Sequence, residues 1–382
     1  MSNSSDKIFM AGPWITEVEI KAVEDAMRHW YEGCYDYVEK FEKEFAAFHD
    51  RKYALMTPNC TTAIHLLLTA LGIKSGDEVI VPDCTWIATI SSAVLLGATP
   101  VFTDIDPVNW CLDPASVRKN ITPKTKAIIV VDLYGNMPHM DELLAISKEH
   151  GIPLVEDSAE ALGSKYKGIR AGKFGVGSVF SFHRTKTLTT GEGGMLLLDD
   201  DDLFKFCRVW RDHGRGPDTP MYQNDAVTYK FMPFNVQAAI GYAQFTRFDE
   251  LVDKKRELLK KYKERLADIP DLYFNDEPEY VYNSVWATTV VFGKSHGVTK
   301  QQVIERAAKM DIPVRPFFFP LSSLKPFADK WQAVCSQRNP VAYNVSDRGV
   351  NLSCAMNLTD TQIDKIANAV RAAIGYSSKA VW

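Results

Sequence analysis

Between about residues 50 and 200 the chain alternates short β-rich runs with helix-length segments, and this alternation restricts the fold more than any other feature. It predicts a sheet covered by helices on both faces. The runs are "DEVIVP" (77–82), "TPVFTDI" (99–105), "KAIIVVDLYG" (126–135), "PLVEDSAE" (153–160), "SVFSF" (178–182) and "GMLLLDD" (194–200). Several are apolar without alternation, as parallel strands buried on both faces require. Helices fit between them, for instance "CTTAIHLLLTALG" (60–72) and "MDELLAISKEHG" (140–151), each closed by a glycine suited to a left-handed C-terminal position.

From about residue 245 the texture changes. "DELVDKKRELLKKYKERLADI" reads as a long amphipathic helix whose charges face solvent, leading into a second unit with its own strand, "SVWATTVVFG", and helices from "TKQQVIERAAKMDI" and "TDTQIDKIANAVRAAIG". At 382 residues the chain is too long for one small core. The expected fold class is α/β: a large, mostly parallel sheet domain of seven-stranded type over 1–250 and a smaller C-terminal α/β domain over 251–382.

A formal charge of -4 provides no broad basic surface, which argues against nucleic acid as a partner. The seven cysteines are scattered, with no CxxC pair and no metal-ligand spacing, and read as reduced thiols of a cytoplasmic protein. "MSNSSDKIFMAGPW" lacks the succession of an export signal, and no window reaches the ~18 apolar residues of a spanning helix, so neither export nor a membrane is expected.

In a doubly wound sheet, ligands sit at the carboxyl ends of the strands. Three segments there carry chemistry. "VEDSAE" puts Asp157 at a strand end with Glu160 three residues on, and "SFHRTK" places Ser181, His183 and Lys186 at the same rim. "TPNCTTA" opens a helix, with the Cys60 and Thr61 amides and the Thr61 and Thr62 hydroxyls facing outward toward an anion. Pyridoxal phosphate would use all three, through its phosphate, a ring nitrogen that works best beside a carboxylate, and an aldehyde that condenses with a lysine. Lys186 would then link the cofactor and, once released, move a proton. Trp86, in "PDCTWIAT", offers a flat ring to stack on the pyridine. Singly, each has a plain alternative: Lys186 a solvated cation, Asp157 a turn residue, Trp86 core, His183 a structural imidazole, "TPNCTTA" a simple helix cap. Only their shared rim favours the cofactor.

The ordered set "TPNCTTAIHLLLTALG", "GDEVIVPDCTWIAT", "VEDSAEALGSKYKG", "SFHRTKTLTTGEGGM", "NVQAAIGYAQ" and "RPFFFPLSSL" resembles the DegT-type nucleotide-sugar aminotransferases from about residue 8 to 372. The resemblance implies a fold-type I, pyridoxal phosphate-dependent enzyme whose sites lie at a homodimer interface. It implies that Lys186 forms the Schiff base, Asp157 pairs with the ring nitrogen, Glu160 sits near the cofactor's 3-hydroxyl and Trp86 stacks on the ring. Cys60, Thr61 and Ser181 match phosphate-binding positions, helped by the partner subunit's Lys230, a point charge rather than an oriented amide. His183 joins Lys186 and Asp157 in the catalytic group. His183 and Arg315 are candidates for substrate contact; Arg315 suits a carboxylate or pyrophosphate, with a structural salt bridge as its alternative.

Departures from the family pattern bear on the substrate. Cys60 replaces the usual Gly of "NGT" and so requires a negative φ; Asp132 and Ser322 stand where relatives carry His, at positions expected to border the sugar. The implied reaction passes the amino group of L-glutamate, which leaves as 2-oxoglutarate, to a nucleotide-linked 4-keto-6-deoxyhexose for a surface glycan such as O-antigen or lipopolysaccharide. A 3-keto acceptor is the runner-up and a non-catalytic regulatory homologue a further alternative. A 3-dehydratase is disfavoured because those relatives replace the lysine with histidine, and Lys186 is intact.

Overall fold

The computed structural model describes residues 7–376; the first six residues of the N-terminal segment read above, and the last six of the chain, lie outside the described residues. The strands of the central sheet are β1 (Tyr53–Thr57), β2 (Glu78–Pro82), β3 (Thr99–Thr103), β4 (Thr125–Val131) and β5 (Leu154–Asp157). After the two-residue strands β6 (Lys165–Tyr166) and β7 (Ile169–Arg170) come β8 (Gly177–Ser181) and β9 (Gly194–Leu198). The seven-stranded order is β1-β9-β8-β5-β4-β2-β3. From β3 to β8 every pairing is parallel, whereas β9 runs antiparallel to both β8 and β1.

Six of the seven strands lie where the apolar runs predict them. The seventh, β1, is a difference: "YALMT" carries Ala, Leu and Met, residues at home in a helix, and its extended state comes from pairing all five residues with β9. Both sheet faces are covered, so the strands need no polar alternation. On one face Ile64, Leu67 and Leu68 of the Cys60–Ala70 helix join Val79, Val81, Ile129, Val155 and Val179. On the other, Met140, Leu143 and Ile146 of the Met140–His150 helix meet Ile80, Ile128, Val130 and Leu154. Each such side chain contributes about 1.5–3 kcal/mol by leaving water. The helix that starts at Cys60 is therefore anchored along its length. Gly151 closes the second helix in the left-handed region, and Gly72 follows the first at φ +73, both as expected.

The second unit holds β10 (Leu272–Phe274), β12 (Thr289–Phe292), β13 (Arg315–Pro316) and β14 (Gly349–Asn351) in the antiparallel order β10-β12-β14-β13, while β11 (Val281–Tyr282) pairs with β6. Its core gathers Tyr262, Leu266, Phe292, Val303, Ile363 and Ile366. Residue 250 falls inside the Phe248–Leu266 helix, whose inner face buries Leu251, Val252, Leu258 and Tyr262 along with one cation, Lys255. Leu321, Phe327 and Cys335 pack back onto the first core. All seven cysteines are free. Among the described residues no helix is long and apolar enough to cross a membrane.

Candidate active site

The chain leaves the sheet at Ser181, the last residue of β8, and returns at Gly194, the first of β9; these two pair, closing residues 182–193 into a loop. Backbone bonds cross it from Phe182 N to Gly193 O (2.8 Å) and from Arg184 N to Gly191 O (2.7 Å). Its threonines serve the loop itself. Thr189 Oγ1 donates to Phe182 O (3.0 Å), Thr190 Oγ1 donates to Glu192 O (2.6 Å), and Thr189 N donates to Gln244 Oε1 on the Asn235–Phe245 helix (3.0 Å). The crowding of Thr and Gly around Lys186 thus fixes the lysine's base.

Gly194 has a further task. A Cβ there would lie 2.5 Å from the Asn59 carbonyl carbon and 2.5 Å from Cys60 N, so β9 is the wall against which the helix start rests. Gly194→Ala is expected to push that helix start away, lowering stability by about 1–3 kcal/mol. Thermal melting checks this; an unchanged melt would mean that the helix start moves aside freely.

At that helix start Asn59 caps the turn, its Oδ1 accepting from Thr62 N at 3.0 Å. The Cys60 and Thr61 amides, the first two of the helix, have no carbonyl within it to reach. Cys60 is helical, as its replacement of glycine requires. Its thiol is pushed well above the ordinary range by burial first and then by Asp157, against the opposing charge of Lys186, so it stays neutral. Thr62 departs from expectation: its hydroxyl donates to Asn59 O (2.7 Å) and completes the cap instead of facing an anion.

Two carboxylates and the amine meet beside it. Lys186 Nζ lies 3.2 Å from Glu160 Oε1, with both side chains largely buried, and 3.8 Å from the centroid of the Trp286 ring. The other Glu160 oxygen accepts from Tyr134 N (2.9 Å), an amide aimed by a left-handed backbone at φ +53. Burial raises the Glu160 carboxyl pKa, and Lys186 is the largest influence pulling it back. Asp157 ends β5, where its Oδ2 accepts from Thr89 Oγ1 (2.8 Å) and its Oδ1 from Ala159 N (3.2 Å). Burial raises its pKa as well, opposed by Thr89, Ala159 and Lys186.

Trp86 stands at the rim 61% exposed, its ring tilted 42° to Phe318 at 6.2 Å. Ser181 Oγ accepts from His183 N (3.3 Å). His183 Nδ1 lies 3.0 Å from Thr185 Oγ1 and Nε2 3.7 Å from Glu192; burial lowers its pKa, with Lys186, Arg184 and Arg315 adding to the effect and Glu192 opposing it. Arg315, half-buried on β13, makes no side-chain hydrogen bond or ion pair among the described residues, so the salt-bridge alternative lacks a partner. Lys230 does not join Lys186 within the chain. It is exposed, paired with Asp212 at 2.5 Å, and lines an open surface cavity of about 1410 Å³.

Two expected sugar neighbours are corrected. Ser322 is wholly buried, donating to Asp83 Oδ2 (2.7 Å) and lying 2.9 Å from the Tyr343 hydroxyl. Asp132 is wholly buried as well, and its carboxyl pKa is driven well upward by burial and then by Glu156, whose side chain points to the opposite sheet face from Asp157. Neither opens to the rim. Residues that the sequence reading missed are Thr89, Tyr134 and Trp286. The pair Tyr134–Gly135 closing a strand at the ligand rim was a usable signal, whereas nothing in "NSVWATT", across the expected boundary, marked Trp286.

Residues 13–371 match the DegT/DnrJ/EryC1/StrS aminotransferase family. The chain belongs to that family. It is 36% identical over 342 residues to GDP-perosamine synthase of Caulobacter vibrioides, and 34% identical over 341 residues to that of Escherichia coli O157:H7, in each case spanning 89% of this chain and 91% of the relative. Among solved structures, DesI in the presence of its TDP-sugar product is 28% identical with a TM-score of 0.87, covering 96% of this chain and 93% of the other. The donor set suits pyridoxal phosphate: a largely buried amine, a carboxylate at the adjoining strand end, an exposed indole and free helix-start amides.

Proposed function

We propose that this protein moves the amino group of L-glutamate onto C4 of a nucleotide-linked 4-keto-6-deoxyhexose, feeding a surface glycan such as O-antigen. The chain is an aminotransferase by family, and its cofactor is pyridoxal phosphate. When bound, the cofactor supplies an electron sink for the substrate carbon. The observation that carries the reading is the meeting of Lys186 with Glu160, at 3.2 Å, on the rim where Asp157 ends β5.

In this reading Lys186 holds the cofactor and, when free, moves the proton at the substrate carbon. Asp157 faces the ring nitrogen, Glu160 the 3-hydroxyl, and Trp86 covers the ring. Cys60, Thr61 and Ser181 bind the phosphate, and the partner subunit's Lys230 adds a charge in a cytoplasmic homodimer. His183 and Arg315 meet the substrates, the unpaired guanidinium suiting a pyrophosphate or the glutamate carboxylate. The 4-keto acceptor is supported by the GDP-perosamine synthases among the relatives, and a nucleotide diphosphate carrier also by DesI and its TDP-sugar.

Half-reaction spectroscopy tests it. L-glutamate should bleach the visible band of the lysine-bound cofactor, and one of the GDP-, dTDP- or UDP-linked 4-keto-6-deoxy sugars should restore it. Bleaching with no restoration would move the assignment to a 3-keto acceptor. A band indifferent to glutamate would favour a regulatory homologue.

A further inference from the structure

The Lys186 amine has a second neighbour that the reading above leaves idle. Trp286 turns its ring face to Nζ at 3.8 Å from the centroid, while its indole N–H donates to the carbonyl of Thr185 at 2.8 Å, the peptide directly ahead of the lysine. One buried side chain therefore holds both ends of the same residue, its backbone and its amine.

The indole is itself held in place. It lies within 11° of parallel to Tyr134 at 6.0 Å; Tyr134 lies within 4° of parallel to Phe318 at 5.4 Å and accepts a bond from Phe318 N at 3.1 Å. The residue before it, Val285, sits at φ +57, a costly conformation for a β-branched residue. Val285 N donates to Asn283 Oδ1 (2.7 Å) and Ser284 N donates to Ser164 Oγ (3.0 Å), which fix that bend. Gly135 permits the approach, since a Cβ there would lie 2.4 Å from Asn283 Oδ1 and 2.7 Å from Val285 N.

We propose that Trp286 is a positioning residue for Lys186, its N–H fixing the peptide ahead of the lysine and its ring face, together with Glu160, defining where the free amine rests. The proposal depends on the reading that Lys186 is the lysine that releases the cofactor and then moves the proton. A released lysine has many rotamers, and a carboxylate alone would draw the ammonium wherever Glu160 reaches. A fixed π face adds a second attractive wall without adding a charge that would oppose proton transfer. The amine then waits at one place between its two tasks.

Competitive acetylation with acetic anhydride, read peptide by peptide by mass spectrometry, tests this in the full-length protein. Hydroxylamine treatment beforehand takes away any aldehyde on the lysine, whatever reaction the protein performs. Lys255, buried on the Phe248–Leu266 helix with Nζ donating to Cys354 O at 2.7 Å, is the internal reference. Trp286→Leu should raise the Lys186 labelling rate about tenfold relative to Lys255, and Trp286→Phe, which keeps a ring face, about threefold or less. Equal rises at both lysines would mean general loosening and would overturn the proposal, as would no rise at all. Should Trp286→Leu fail to fold, Trp286→Phe decides through the glutamate half-reaction: the lost N–H anchor should lower kcat with KM unchanged, and an unchanged kcat overturns the proposal. A cofactor found on another lysine would defeat the functional reading while leaving the labelling result legible.

Discussion

Lys186→Ala is expected to abolish the visible band and to lower turnover about ten-thousandfold, the upper range for a positioned proton-transfer group. The protein should still fold, because the loop is closed by the Ser181–Gly194 pairing and by threonine bonds that do not involve the lysine side chain. The cost falls on Glu160. It loses the largest influence opposing its burial and is left without its cation, at a cost of about 1–3 kcal/mol once it takes up a proton. The sign follows from proton linkage. A carboxyl whose folded pKa is raised holds more protons folded than unfolded, so stability falls as pH rises through the range where an ordinary glutamate ionises. The variant's deficit in thermal melts should therefore widen from acid toward neutral pH. Substantial residual turnover would remove Lys186 from the chemistry, and a deficit that narrowed with rising pH would remove Glu160 as its partner.

Asp157→Asn should leave the fold nearly intact and slow the glutamate half-reaction about 10²–10³-fold, the scale of a lost preorganised electrostatic partner. Its geometry favours a clean test. The Asn oxygen can keep accepting from Ala159 N, and its amide can donate to Thr89 Oγ1, whose hydroxyl is free to turn toward Thr85 Oγ1 at 3.2 Å. No buried group loses a partner. What disappears is the negative charge, so stopped-flow bleaching by glutamate reports the electrostatic role alone. An unchanged rate would show that some other group faces the ring nitrogen.

The sequence was most legible where local pattern and burial agree. Unbroken apolar runs mark β2 to β5, β8 and β9 because both sheet faces are covered, and Asp157, at the end of β5, and Lys186, in the loop after β8, could be placed on one rim from topology alone. β1 escaped because its extended state depends on a strand far along the chain. Trp286 and Tyr134 escaped for a related reason: they reach Lys186 and Glu160 through a left-handed bend and a ring stack that leave no periodic trace. Asp132 and Ser322 were misread because position along the chain does not reveal that each side chain turns inward, one beside Glu156 and the other onto Asp83.

The pairing of β1 with β9 also imposes an order in time. During synthesis, β1 and the helix beginning at Cys60 leave the ribosome long before residues 194–198 exist to pair with residues 53–57. Until then neither edge of β1 is paired, and the helix start has no Gly194 to rest against. The same strand closes the loop that carries Lys186. Wall, β1 pairing and lysine loop are thus completed in one late event, and a chain interrupted before residue 194 would lack all three together.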